Sequence, residues 1–273
     1  MVPVTVEDIM MLQRESIAEL RFLRRLVLPA LRRLGDRDIT MRHSMTGTPF
    51  RLHAFRHKTY WFYRAQRERD EISFVARTLK PGMQVVDAGA HIGYMSAYFA
   101  SLVGEGGRVF AFEPGANNLP YLRTNVQSFS NVTIVPKALS NACGRARFIL
   151  EDLSGQNNSL ISDAHLLKAA HNAFVGTHIQ EVEVETITLD SFCATQGFVP
   201  KLVKIDAEES ELVILQGMRD LMQAAKPAII VEVWDNREAI LELLLSHGYH
   251  VCNSDLSPVN GTNDLRTDNV IAV

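Results

Sequence analysis

Beyond Lys80-Pro81-Gly82, short β-branched runs alternate with amphipathic stretches, and this rhythm constrains the fold more than any other feature of the chain. Parallel strands need a crossover of a dozen or more residues between them, usually a helix, so such alternation is the mark of an α/β layer structure. The spacing predicts strands over residues 84–88, 108–113, 132–136, 202–206, 228–234, 250–252 and 269–273, with helices after most of them. Two further β-prone runs, 146–150 and 181–189, bracket a polar insertion over residues 151–178. No internal repeat or low-complexity tract interrupts the pattern.

Residues 1–80 read differently. Over residues 5–34, Leu20, Leu23, Val27, Ala30 and Leu34 recur three and four apart with arginines between them, which predicts a helix with one apolar stripe. Pro29 removes a donor and crowds the preceding turn, so a kink or break is expected there. The stripe lasts barely two heptads, which favours docking on the main body over a coiled coil and leaves homodimer formation through this helix open. Residues 40–63 carry Phe50, His53, Phe55, His57, Tyr60, Trp61, Phe62 and Tyr63 without a clean period. They are read as an irregular or hairpin segment packing the helix on the body. The expected division is a helical and irregular N-terminal appendage at 1–80 and one α/β domain at 81–273.

The formal charge of -3 hides an asymmetry: residues 1–80 hold 16 Lys+Arg against 9 Asp+Glu, a balance of +7, and residues 81–273 hold 12 against 22, a balance of -10. A basic appendage on an acidic body can attract nucleic acid, an anionic glycan or a membrane surface; a solvated helix face gives the same counts. No stretch approaches the roughly 20 apolar residues of a membrane span. The start, Met1-Val2-Pro3-Val4 with Glu7 and Asp8 soon after, lacks the basic and apolar regions of a signal peptide. Three widely spaced cysteines, Cys143, Cys193 and Cys252, suggest neither a disulfide framework nor a C-x-x-C zinc site. A cytoplasmic setting is expected.

The first strand of the α/β region runs into Asp87-Ala88-Gly89-Ala90-His91-Ile92-Gly93, and a helix follows directly. Gly89 permits a tight turn with close approach to a ligand, and Gly93 permits close packing where the helix begins. Dinucleotide and flavin sites use similar turns, so Asp87 decides between them. A carboxylate there repels a pyrophosphate but suits S-adenosylmethionine, whose ammonium and sulfonium are cationic. The second strand ends in Glu113, about 20 residues beyond the glycines, where an acid can accept hydrogen bonds from both ribose hydroxyls. After the third strand, Lys137-Ala138-Leu139-Ser140 lies where an adenine could rest, an assignment by position alone, and an ordinary loop fits equally well. The expected cofactor-binding residues are Asp87, Gly89, Ala90, His91, Gly93, Glu113, Ala138, Ser140 and Asp206.

By these residues the chain resembles the FkbM-type family of methyltransferases. Four blocks carry the likeness: 79–82 leading into 85–94, Phe112-Glu113-Pro114, Thr188-Leu189-Asp190, and Leu202-Val203-Lys204-Ile205-Asp206-Ala207-Glu208, whose K-I-D-x-E core is the most specific. The resemblance spans about residues 70–273. It implies a Rossmann-like seven-stranded class I methyltransferase fold, α/β with the last strand antiparallel, and methyl transfer to hydroxyl oxygens, often of sugars, glycolipids or macrolide natural products. His91 replaces the family's usual Asn, and Glu209 stands where Gly commonly follows the K-I-D-x-E glutamate.

Methyl transfer from a sulfonium is an in-line displacement, so alignment of the acceptor is the protein's main task and contributes about 7 to 11 kcal/mol in favourable cases. A positioned base for the alcohol's proton adds about 10² to 10⁴-fold. Asp206 and Glu208 are the catalytic candidates, at the carboxyl edge where open α/β sheets bind ligands, with Lys204 placed to pair with either. A helix N-cap followed by an acidic first turn is the other reading of this block. Glu232 is a weaker candidate that its strand position could turn to solvent, and Asp190 reads better as a cap. The insertion, with Ser154, Gln156, Asn157, Asn158, Ser159, His165, His171 and His178, suits a lid over sugar-like hydroxyls, and a histidine there is an alternative base. No catalytic metal is expected, since no H-E-x-x-H or paired-cysteine arrangement occurs, although clustered carboxylates could hold Mg²⁺ weakly. Two rivals remain. A nucleic-acid methyltransferase would use the basic segment, but three carboxylates after strand four repel phosphates; a non-catalytic binding protein of the same fold has no need of Asp87, Glu113 and Asp206 together.

Overall fold

The structure, a computed structural model, describes residues 35–63, 69–151, 158–160, 179–233 and 235–273. The helix expected over residues 5–34 and, in the insertion, Ser154, Gln156, Asn157, His165, His171 and His178 lie outside the described residues.

In chain order, β1 (Asp38–Arg42) and β2 (Pro49–His53) form an antiparallel hairpin, and α1 (Lys58–Tyr63) and α2 (Arg69–Thr78) follow. Next come β3 (Gln84–Ala88), α3 (Tyr94–Val103), β4 (Arg108–Phe112), α4 (Leu119–Val126) and β5 (Val132–Val135). A second group holds β6 (Ala138–Leu139), β7 (Gly144–Glu151), β8 (Ser159–Leu160), β9 (Ile179–Ile187) and α5 (Leu189–Gln196). The chain ends with β10 (Leu202–Ile205), α6 (Glu211–Gln216), α7 (Arg219–Ala224), β11 (Ala228–Glu232), α8 (Arg237–Ser246), β12 (Val251–Asn253) and β13 (Asn269–Ala272).

Seven strands make the central sheet in the order β12-β13-β11-β10-β3-β4-β5, with β13 antiparallel to both neighbours and the other pairs parallel. This is the Rossmann-like, seven-stranded arrangement expected. From β3 the chain builds outward to β4 and β5, then returns to β10 on the other side of β3. The carboxyl ends of β3 and β10 therefore flank a topological switch point, where such sheets open a crevice.

Strict alternation sorts the strands onto two cores. Val86, Ala88, Phe110, Phe112, Val203 and Ile205 face one side, where Phe192 meets Phe110 edge-on at 5.0 Å and Phe198 meets it tilted at 4.6 Å. Val85, Val109, Leu202, Ile230 and Ile271 face the other, together with Phe50, Leu52, Tyr60, Val75 and Leu79 from the N-terminal segment. Each such fully buried side chain contributes about 1.5 to 3 kcal/mol. Asn125 pins the hairpin to the body, since its amide accepts from Arg51 N–H at 2.7 Å and donates to the carbonyls of Arg51 and Ile92 at 2.9 and 2.8 Å.

Three local expectations shift. Strands expected to include Glu113, Pro136 and Asp206 stop one residue earlier, and the one expected over residues 228–234 ends at Glu232, so Glu113 and Asp206 step off the sheet into its crevice. Ala138 and Leu139, read as loop, form a short strand parallel to Thr186 and Ile187, a partner some fifty residues away that local pattern cannot announce. Thr188 caps α5 by accepting from Ser191 N–H at 3.1 Å, whereas Asp190 accepts from Asp220 and Leu221 N–H at 3.1 and 2.9 Å and caps the neighbouring α7. Among the described residues, no helix is long and apolar enough to cross a membrane.

Candidate active site

A cleft with about 850 Å³ of space, its mouth included, opens at the carboxyl ends of β3, β4 and β10, within the range of small-molecule sites. Asp87, Gly89, Ala90, His91, Glu113, Ala138, Asp206 and Glu208 all line it; Gly93 and Ser140 do not. Gly93 has φ +87, and a Cβ there would stand 2.7 Å from Leu122 Cδ1, so its place is against α4. Ser140 is bound through its backbone to Ile187 O at 3.0 Å, away from the cleft.

At the tip of β3, Gly89 has φ +83, and a Cβ there would lie 1.8 Å from the carbonyl oxygen of Asp206. The close neighbour that demands glycine is thus the backbone leaving β10, which also bonds through Asp206 N–H to Ala88 O at 3.0 Å. Asp87 is 1% exposed, and its Oδ2 accepts from the Ser96 hydroxyl on α3. Lys204, itself buried, sits opposite Asp87 in the parallel register of β10 and β3, and its Nζ donates to Asp206 Oδ2 at 2.6 Å. One buried ammonium thus stands between the two strand tips.

Glu113 is buried at the tip of β4 with both oxygens engaged: Oε2 accepts from His91 N–H at 2.8 Å, and Oε1 from Gly115 N–H at 2.8 Å and the Asn118 amide at 3.2 Å. Burial pushes its carboxyl up to about 7, against the lowering effect of those donors. Beyond it, Phe112, Ala138, Leu139, Phe148 and Leu160 form an apolar wall. Asn158 accepts from Glu151 N–H at 2.9 Å and donates to Asn117 Oδ1 at 2.8 Å, which ties the start of the insertion to the loop before α4.

The chain leaving β10 turns through two consecutive left-handed residues, Glu208 with φ 46 and Glu209 with φ 69. Glu211 holds this turn from below, its Oε1 accepting from Ala207 N–H at 3.0 Å. Burial, then the nearby carboxylates, pushes Glu211 up to about 7. Carboxylate oxygens of Asp206, Glu208 and Glu232 all lie within 4.8 Å of one another. Glu232 is half-buried beside its two partners, which line the cleft while Glu232 itself does not. Three oxygens at that spacing match the chemistry of a hard-cation site, though exposed acidic groups often adopt it without an ion.

Residues 87–251, which contain every one of these acids, match the Methyltransferase FkbM domain family. The chain belongs to that family. Residues 87–251 are thus a methyltransferase domain of FkbM type, and S-adenosylmethionine is the cofactor that such a domain takes. Among solved structures, it is similar to the FkbM methyltransferase of Methylobacillus flagellatus KT, at 16% identity over 78% of this chain and 60% of that one, with a TM-score of 0.45. The chain therefore spans less than two thirds of that relative. It is also similar to the fibrillarin of Aeropyrum pernix with natively bound S-adenosyl-L-methionine, at 11% identity over 77% of this chain and 76% of that one, with a TM-score of 0.43. An S-adenosylmethionine-dependent O-methyltransferase of Thermotoga maritima matches at 15% identity over 74% of this chain and 63% of that one, with a TM-score of 0.40. No curated protein sequence matches the chain significantly.

The residues fit the cofactor of an FkbM-family enzyme. A carboxylate buried at the tip of β3 is matched to a cationic amino-acid end, a carboxylate at the tip of β4 to a diol, and an apolar slot beside it to a flat base. Sequence reasoning missed Tyr60, Phe148 and Leu160, which also line the cleft, and the buried Glu211. Tyr60 had no periodic pattern around it, and Phe148 and Leu160 meet only through the β7–β8 register. Glu211 was legible in principle, since a carboxylate in a first helical turn is placed to reach back to free N–H groups.

Proposed function

We propose that this protein transfers the cofactor's methyl group to a hydroxyl oxygen of a sugar, a glycan or glycolipid, or a macrolide-like natural product. The grouping of Asp206 and Glu208, which line the cleft that holds Asp87 and Glu113, with Glu232 beside them carries this reading. Carboxylates accept hydrogen bonds and donate none, so three together favour an acceptor rich in hydroxyl groups. The same charges disfavour a phosphate backbone, and with it a nucleic-acid substrate.

When bound, the cofactor supplies an activated methyl group on a cationic sulfur. Asp87 is assigned its amino-acid end, Glu113 the ribose, and the wall of Ala138, Leu139, Phe148 and Leu160 the adenine. Gly89, Ala90 and His91 form the turn over its centre, and Gly93 packs that turn against α4. Asp206, steadied by Lys204, faces the reacting centre, and Glu208 orients the acceptor hydroxyl. Alignment of this kind is where most of the rate enhancement originates.

The test begins with thermal stability. S-adenosylmethionine at 100 times its Kd should stabilise the fold by about 2.7 kcal/mol, while NAD should leave it unchanged. Labelled methyl transfer into an extract of the source organism then identifies the acceptor. Asp206→Asn is expected to keep cofactor affinity within about twofold and to lose about 10²-fold or more in turnover. Full turnover in that variant removes Asp206 from the reacting centre.

A further inference from the structure

A closed circuit of three hydrogen bonds joins the polar insertion to the loop beside Glu113. Glu151 N–H donates to Asn158 Oδ1 at 2.9 Å, Asn158 Nδ2 donates to Asn117 Oδ1 at 2.8 Å, and Asn117 Nδ2 donates to Glu151 O at 2.9 Å. Every direction is fixed, because a backbone N–H only donates and a backbone carbonyl only accepts, which orients both amides. The chain leaves β7 at Glu151 and is back against it at Asn158, so the base of the insertion is tied to itself and to the β4–α4 loop at once. Asn158 is 7% exposed and lines the cleft.

Asn117 belongs to the turn over residues 115–118, which is closed by Asn118 N–H donating to Gly115 O at 3.0 Å. That same turn carries two of the donors that Glu113 accepts from, Gly115 N–H and the Asn118 amide, both on Oε1. Gly115 stands between the two systems: a Cβ there would lie 2.5 Å from Glu113 Oε1, 2.6 Å from Asn158 Nδ2 and 3.0 Å from Asn117 Oδ1. Only glycine lets the amide circuit close directly against the carboxylate.

We propose that Asn158 is a positioning residue for Glu113: by holding Asn117 it fixes the turn whose donors set that carboxylate to receive the ribose diol. This rests on the reading of Glu113 as the ribose contact. Hydrogen bonds to a carboxylate favour its ionised form, and those from Gly115 and Asn118 do so for Glu113 against its burial and the charge of Asp87. Releasing the turn weakens both bonds, so the carboxyl keeps its proton to higher pH and accepts less readily from the diol. His91, Lys137, Lys204, Asp206 and Glu208 also line the cleft, and replacing Asn158 alters none of them. The base of the insertion is in this account part of the cofactor grip.

The test compares S-adenosylhomocysteine affinity by calorimetry between pH 6 and 8.5 in the full-length protein and in Asn158→Ala, with circular dichroism to verify folding. Moving the Glu113 titration up by about 0.5 to 1 pH unit weakens binding about three- to ninefold at pH 6 and less than about 1.5-fold at pH 8.5. Asn117→Ala, which opens the circuit at its other amide, should show the same pH-dependent loss, and the double variant should lose no more than the larger single one. In a Glu113→Gln background the effect of Asn158→Ala should no longer vary with pH. An unchanged profile in a folded Asn158→Ala overturns the proposal, as does a loss of one size at every pH, which is what a direct contact or a purely structural role produces. If Asn158→Ala does not fold, Asn117→Ala decides on the same terms. Failure of the unaltered protein to bind S-adenosylhomocysteine, or an affinity there without pH dependence, sinks the assignment of Glu113 to the ribose instead, so the two failures are distinguishable.

Discussion

The two sides of the cleft are built on opposite principles. On the side proposed for the cofactor, Asp87 and Glu113 are buried, their oxygens are met by donors from the adjoining helix and turns, and glycine occupies the position where the backbone must bend. On the side proposed for the acceptor, Asp206 and Glu208 are only half-buried, and the chain passes through two left-handed glutamates. A ligand common to a whole family rewards a fully satisfied, preorganised grip. An acceptor that differs among members leaves its side of the cleft to carry more strain and exposure.

The two sides touch at Gly89, so the largest effect is expected there. Gly89→Ala would set a methyl group 1.8 Å from the Asp206 carbonyl oxygen at φ +83, and neither the strand tip nor the turn has a flexible side chain to move aside. The variant should lose more than about 3 kcal/mol of stability in denaturant titration. Near-native stability would mean that the tip of β10 shifts freely, and the contrast between a rigid and a strained side would fail.

The contrast is sharpened next by pH. Glu113 titrates at about 7 in the folded protein against an ordinary 4.5, because it is buried. The folded state thus binds the proton more tightly than the unfolded chain, so the stabilisation is present below about 4.5 and is lost as pH rises through 7, by up to about 3 kcal/mol for one group. Glu211, also raised to about 7, acts in the same direction. The cofactor-free protein should accordingly lose stability between pH 5 and 7.5. Cofactor affinity should run the other way, because the proposed ribose contact needs ionised Glu113: calorimetry should find binding about tenfold weaker at pH 6 than at pH 8. Glu113→Gln should flatten that dependence, and Glu211→Gln should leave it in place.

Most of the central sheet was legible because its signals are local. Two-residue alternation and β-branched runs mark β3, β4, β10 and β11, and the glycine turn after β3 announces itself. Their ends were read one residue too long at Glu113 and Asp206, since a strand's last residue is decided by the pairing partner rather than by the run itself. Residues that meet across the chain were not legible. Glu232 joins Asp206 through the parallel register of β10 and β11, and Tyr60 reaches His91 by the docking of a segment whose own sequence has no period. The β7–β9 pair illustrates the middle case: its runs were visible, but only their pairing in register from Gly144 with Thr186 to Glu151 with Ile179 places Phe148 on the cleft wall.

The smallest expected effect isolates the strain itself. Glu209 is exposed, has φ 69, and does not line the cleft, whereas Glu208, with φ 46, does. A left-handed residue with a Cβ costs about 1 to 2 kcal/mol, and glycine adopts that conformation freely while adding about 0.5 to 1 kcal/mol of entropy to the unfolded chain. Glu209→Gly should therefore raise stability by about 0.5 to 1 kcal/mol and leave label transfer unchanged. Glu208→Gly should relieve similar strain yet lose turnover, because it deletes the carboxylate assigned to the acceptor hydroxyl. If both variants gain stability and only the second loses turnover, the strain at this corner serves to aim Glu208; if Glu209→Gly destabilises the protein, its side chain supports the turn and the division between the two sides is drawn in the wrong place.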